Sequence, residues 1–114
     1  MKGFELEYFL IDAGLRNLRD HALAVLDELI AQIECFRENK ENRNWHTLYR
    51  LRKLKQLRAE VEADPEDIVE VVSDILDYEI PKMFAEFAPE GYYLGADGYQ
   101  GVYGLIVNTE DGEE

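Results

Sequence analysis

Basic residues are scarce in this chain, and serine and cysteine are almost missing. Only 12 of its 114 residues are Lys or Arg, against 25 Asp or Glu, for a net charge of -13 at pH 7. A surface of that sign repels a phosphate backbone, which excludes constitutive binding to nucleic acid. Cys35 is the only cysteine, so no internal disulfide can form, and a reducing cytoplasm is the expected compartment. No stretch approaches the ~20 apolar residues needed to cross a bilayer. The first five residues, Met1-Lys2-Gly3-Phe4-Glu5, lack the basic and apolar regions of a signal peptide. No membrane association is expected.

Catalytic side chains are equally sparse. Ser73 is the only serine, and it projects near the acidic face of its helix with no placed histidine to activate it. Cys35 and His46 form the one conceivable thiol–imidazole pair, at opposite ends of a loop between two helices. A cysteine nucleophile needs electropositive surroundings, and the ordinary roles here are a half-exposed cysteine and a helix-start histidine. His21, His46 and Cys35 share no ligand spacing such as H-x₃-H or C-x₂-C. Asp97-Gly98 stands alone, without the further acids of a calcium loop. The glycines do not form a phosphate loop either, since no basic residue lies between Gly91 and Gly104. The expectation is a non-enzyme with no catalytic residue, metal or cofactor.

What is present is a globular composition, 46% hydrophobic and 32% charged, at the length of one domain. Charge falls into three zones. Residues 1–36 carry a net of -4, residues 37–58 a net of +6, and residues 59–114 a net of -15. A basic middle between acidic ends suggests an intramolecular clamp.

The apolar pattern places the elements. Leu15, Leu18, Ala22, Val25, Leu26, Leu29, Ile33 and Phe36 recur at three- and four-residue intervals, which predicts a helix over 15–36. On its other face Ala24, Ala31 and Cys35 form a line of small residues that permits close helix approach, a candidate dimer seam. Residues 37–44 contain no apolar side chain and read as a loop, with Asn44 as the N-cap of a second helix over 45–63. That helix carries leucines at 48, 51, 54 and 57, a three-residue spacing that drifts around the axis. Its bases spread around most of the circumference, whereas a phosphate-tracking surface would gather them on one face. They are expected to pair with acids on neighbouring helices. Asp64-Pro65-Glu66-Asp67 has the chemistry of a helix start and predicts a helix over 65–78, interrupted by Pro81, with one more short turn over 82–87 before Pro89. Asp97-Gly98 is a strong hairpin signal, predicting strands over 91–96 and 99–108, a hairpin that must either dock on the helices or find a third strand, for which residues 4–10 are the candidate. The expected fold is α+β and mainly helical: a three- to four-helix bundle with a C-terminal antiparallel β-hairpin. Residues 1–108 form the single domain and 109–114 an acidic, disordered tail.

Two surfaces stand out as partner-binding candidates. Glu66, Asp67, Glu70, Asp74 and Asp77 fall on one side of the 65–78 helix with no Lys or Arg three or four residues away to neutralise them, which costs a helix a few tenths of a kcal/mol per like pair. Acidic surface ordinarily only keeps a small protein soluble. A rigid row of carboxylates can also imitate the phosphates of a duplex and enter a basic channel. Tyr92, Tyr93, Tyr99 and Tyr103 form the second candidate, either cross-strand packing or an aromatic recognition ridge. In size and charge the chain resembles the small acidic proteins with which phages and mobile elements block nucleic-acid enzymes. The leading expectation is therefore a non-enzymatic interaction protein whose partner offers a basic protein surface, such as a nucleic-acid enzyme. The alternative is a homo-oligomeric scaffold that assembles through Ala24, Ala31 and Cys35 or through the tyrosine hairpin.

Overall fold

The computed structural model describes residues 5–97 and 101–107. They form an α+β fold, mostly helical, in which helices cover one side of a three-stranded antiparallel sheet. The tail over 109–114 lies outside the described residues.

The first helix, α1 (Leu18–Phe36), begins three residues later than its apolar stripe suggests. Asp12 accepts from the Gly14 amide and caps a separate 3₁₀ turn at Ala13–Leu15, and Arg16 is extended. Asn17 then caps α1 by accepting from the Asp20 amide at 2.8 Å. Ala22, Val25, Leu26, Leu29 and Ile33 are buried, as the stripe requires, whereas Leu18 is 40% exposed. Asparagines organise the following loop. Asn39 accepts from the Glu41 amide, Asn42 donates to the Phe36 carbonyl, and Asn44 accepts from the Thr47 amide to start α2 (Trp45–Glu62). Leu54, Leu57 and Val61 of α2 pack into the core, while Leu48 and Leu51 are only half-buried.

Asp64-Pro65 is not a helix start but a helix stop. Asp64 adopts φ 56°, a left-handed conformation that Asp tolerates better than most residues. Its amide bonds the Val61 carbonyl, and this closes α2. The next helix, α3 (Ile68–Asp74), begins after Asp67, whose side chain makes no cap bond. It runs through a π turn (Ile75–Glu79) directly into α4 (Ile80–Phe84), so the helical rod passes Pro81 rather than breaking there. In the π turn the Ile80 amide reaches back to the Ile75 carbonyl, and this pattern assigns the Leu76 carbonyl to residue 81. Proline has no N–H to offer. The Tyr103 hydroxyl donates to that carbonyl instead, at 2.5 Å.

The sheet has the order β1-β3-β2, with β1 at Leu10–Asp12, β2 at Tyr92–Asp97 and β3 at Val102–Val107. β2 and β3 pair antiparallel, from Tyr92 opposite Val107 to Asp97 opposite Val102, so Asp97 is a paired strand residue and not the centre of a two-residue turn, and the register differs from the one an Asp97-Gly98 turn would set. Gly98 and Tyr99 lie outside the described residues. The third strand is Leu10–Asp12, not 4–10. It is flanked by bonds from the Leu105 amide to the Phe9 carbonyl and from the Ala13 amide to the Gly101 carbonyl. Gly104 permits this pairing, since its φ is 156° and a Cβ there would lie 2.0 Å from the Phe9 oxygen. Leu94, Tyr103 and Leu105 turn inward to meet α1, α3 and α4 in a core that also takes Leu6, Phe9, Ile75, Ile80, Met83, Phe84 and Phe87.

Two substitutions test these junctions. Tyr103→Phe keeps the buried ring but strands the Leu76 carbonyl, and is expected to destabilise the fold by about 1–3 kcal/mol in urea titration. Gly104→Ala drives a methyl group into the Phe9 carbonyl and should cost about 3 kcal/mol or more. A melting temperature unchanged by either substitution would contradict the junction it probes.

Candidate functional site

The ridge residues Glu66, Asp67, Glu70, Asp74 and Asp77 are all exposed. Glu70 and Asp74 stand on α3, Asp77 in the π turn, and Glu66 and Asp67 on the segment that leads into α3, so the ridge follows 66–77 without being one uninterrupted helix face. Among the described residues none of the five enters an ion pair, and only Asp77 has a side-chain bond, accepted from Ser73 Oγ at 3.2 Å. Val69 (65% exposed) and Tyr78 (58% exposed) stand beside these acids; Val69 offers bare apolar contact, while Tyr78 carries the Lys82 ammonium 4.9 Å from its ring centre.

The bases of α2 are treated differently. Arg58 bonds Asp27 of α1 and Glu62 of its own helix. Lys55 pairs with Glu34 of α1 at 3.3 Å. Arg50 donates to the Met83 carbonyl and to Glu86, with its guanidinium 4.5 Å from the centre of the Phe87 ring. Arg37 and Arg43, in the preceding loop, bond the Asn44 and Arg37 carbonyls. Arg50, Lys55 and Arg58 thus tie α2 to acids that precede and follow it in the chain, while the other bases of the basic zone take no part in that clamp among the described residues. Pairs this exposed each contribute only about 0–1 kcal/mol, so their main effect is on register and local potential.

The four tyrosines divide. Tyr92 and Tyr93 are exposed, and the Tyr92 ring meets Tyr8 edge-on at 6.2 Å. Tyr99 is outside the described residues. Tyr103 is 1% exposed, which withdraws it from any outward ridge and gives it to the core. Its ionisation is pushed far above the ordinary phenol range, chiefly by burial and then by the nearby Asp77 charge, so it stays a donor.

Cys35 and His46 are not assembled for catalysis. Cys35 is exposed on a groove with Glu5, Glu7, Glu28, Ala31, Gln32 and Phe36, which brings no imidazole or cation to the thiol. His46 stacks on Trp45 at 3.8 Å, and no hydrogen bond joins it to Cys35. Among the described residues no group of three or more His, Cys, Asp or Glu is placed to hold a metal ion, and no helix is long and apolar enough to cross a membrane.

One surface escaped the sequence reading. Trp45, Leu48, Tyr49, Arg52, Lys53 and Gln56 line a groove of about 320 Å³ along the outer side of α2. Their three- and four-residue intervals are the signal for it, masked in the residue order by the leucine spacing of 48, 51, 54 and 57. Comparison with protein families, curated proteins and solved structures finds no match to the chain.

His21 carries a pH dependence. It is 5% exposed, its Nδ1 has no partner, and its ring meets Tyr103 edge-on at 6.2 Å. Burial lowers its pKa from 6.5, the Arg16 charge adds to the shift, and Asp12 opposes it. The unfolded chain therefore holds more protons than the folded one just below pH 6.5, so this residue's contribution to stability is present above that pH and is lost as the pH falls. Acidification also relaxes repulsion among the carboxylates, so the comparison must be with a variant. Wild type should lose stability relative to His21→Leu between pH 7.5 and pH 5.5, read by paired thermal melts. Parallel profiles would refute the assignment.

Proposed function

We propose that this chain is a non-enzymatic interaction protein of the reducing cytoplasm, and that its 66–77 ridge engages a basic protein surface such as the channel of a nucleic-acid enzyme. One observation carries the reading: the fold pairs Arg50, Lys55 and Arg58 with acids, yet leaves all five ridge carboxylates exposed and without an ion-pair partner among the described residues. The mechanism is competitive occlusion. Carboxylates held by a folded scaffold take the place of phosphates, long-range attraction steers the encounter, and added salt weakens it. Val69 and Tyr78 supply the apolar contact that charge alone lacks. Tyr92 and Tyr93 offer a secondary contact at the sheet edge. Assembly through Ala24, Ala31 and Cys35 is the less favoured alternative, because Glu5, Glu7 and Glu28 share the groove of Ala31 and Cys35 and a symmetric seam would bring those acids against their counterparts.

The test is capture from nuclease-treated native lysate with wild type and with Glu70→Lys/Asp74→Lys/Asp77→Lys, followed by elution in rising salt or with duplex DNA. The wild type should retain a nucleic-acid-binding protein that moderate salt releases and duplex DNA displaces, and the reversed ridge should retain about tenfold less or worse, a loss of some 1.4 kcal/mol or more. Capture that ignores the ridge reversal, or resists both eluants, would sink the proposal.

A further inference from the structure

The outer face of α2 sets two cations that have no partner among the described residues beside exposed aromatic rings. Residues 42–59 contain no acid. Arg50, Lys55 and Arg58 are bonded within the fold, but among the described residues Arg52 and Lys53 have no ion-pair or hydrogen-bond partner. They share their groove with Trp45, 68% exposed, and Tyr49, 54% exposed. Trp45 is the only tryptophan, and it spends its indole on the surface, stacked on His46. Aromatic rings backed by cations are the composition of interaction hot spots.

We propose that this groove docks a second copy of the chain, and that it receives that copy's 66–78 ridge. The two surfaces complement each other in charge and in character. Arg52 and Lys53 meet Glu70 and Asp74, while Trp45, Leu48 and Tyr49 meet Val69 and Tyr78. Within one molecule no bond joins Arg52 or Lys53 to the ridge acids, so both surfaces stay open until copies meet. Two α2 faces packed on each other would instead gather two copies of Arg52 and of Lys53 in one contact. A nucleic-acid strand is disfavoured by the net charge of -13. The same net charge opposes approach of two copies, but at physiological ionic strength screening confines that repulsion to about 8 Å, and contact is governed by the local pairs. The inference rests on the ridge being a binding surface. It adds that the ridge is held by a sister molecule until a more basic partner competes for it.

The experiment is sedimentation equilibrium of the full chain over a wide concentration range at physiological salt, with Trp45 emission recorded in parallel. The variants are Arg52→Glu/Lys53→Glu and Glu70→Lys/Asp74→Lys. Among the described residues none of the four side chains has an ion-pair or hydrogen-bond partner, and circular dichroism checks that each variant folds. Wild type should self-associate with a blue shift of Trp45 emission. Each variant alone should associate at least about tenfold more weakly, and an equimolar mixture of the two should recover the wild-type association, because the reversed charges again meet as opposites. A wild type that stays monomeric overturns the proposal. So does association that survives Glu70→Lys/Asp74→Lys, as α2–α2 packing would, or a mixture that restores nothing. Trp45 emission that responds to a single-stranded oligonucleotide but not to protein concentration would reassign the groove and likewise overturn it. The ridge proposal is tested apart from this one: Arg52→Glu/Lys53→Glu should still capture the basic partner of the preceding section, since its ridge is intact.

Discussion

The Leu76 carbonyl is the point on which the helices and the sheet agree. A carbonyl buried without a donor costs about 1–3 kcal/mol, and Pro81 removes the amide that the π turn would have supplied. The donor comes from the central strand, through the Tyr103 hydroxyl. To deliver it, β3 must lie against the rod with Tyr103 facing inward, which sets which side of the sheet is buried. Gly104, the next residue, then faces β1 closely enough that only hydrogen fits. His21 of α1 closes the arrangement by meeting the Tyr103 ring edge-on. One unsatisfied acceptor thereby ties together α1, the 68–84 rod and all three strands.

The widened turn answers a mismatch of period. Val72, Leu76, Ile80 and Phe84 are all buried, at steps of four residues. In an α-helix each such step overshoots a full turn by about 40°, so three steps would carry Phe84 far from the face on which Val72 lies. A turn with an extra residue takes up part of that drift. The four-residue repeat was legible in the residues, but Pro81 read locally as an interruption, because nothing near it in the chain shows that a tyrosine 22 residues later would satisfy the freed carbonyl. Asp64-Pro65 is ambiguous in the residue order for a related reason. Asp is suited both to N-caps and to left-handed helix ends, and only the observed φ of 56° distinguishes them. Where the determinants are local, the sequence reading matches the structure: the α1 stripe from Ala22 to Ile33 and the Asn44 cap. The β2–β3 pairing is antiparallel as expected, but its register is not the one a two-residue Asp97-Gly98 turn would set. The position of β1 depended on contacts about 90 residues apart and was placed too early.

The candidate site was legible in its charges and less so in its aromatics. Exposure of the five acids follows from the cost of burying them, and the lack of Lys or Arg over 59–81 is visible in the residue order alone. The tyrosines look alike in a strand pattern, yet Tyr103 is core and Tyr92 and Tyr93 are surface. The strand period gives which residues share a face but not which face the helices will cover. The α2 groove was hidden by its own leucines. A three-residue spacing drifts around the helix, so Leu48 falls with Trp45 and Tyr49 on the outer side while Leu54 and Leu57 fall on α1.

Charge segregation then has a consequence for how this molecule meets others. The ion pairs across α1 and α2 are surface pairs of small individual worth, so removing the free charges on Arg52, Lys53 or the ridge would cost the fold little. Glu66 and Glu70, and Glu70 and Asp74, are spaced by four residues, and where both members stand on a helix such like pairs act against it. The helix dipole favours an acid such as Glu70 in the first turn of α3, but it gives no reason for Asp74 at the last residue of that helix, so stability accounts for only part of the ridge. Solubility explains a general acidic excess, but not why, among the described residues, the ion-paired cations are directed to α1, Glu62 and Glu86 and none to 66–77. A surface left unneutralised at a cost, on a rod whose geometry is fixed by a buried hydrogen bond, has the rigidity and the electrostatic contrast that recognition of a basic surface demands.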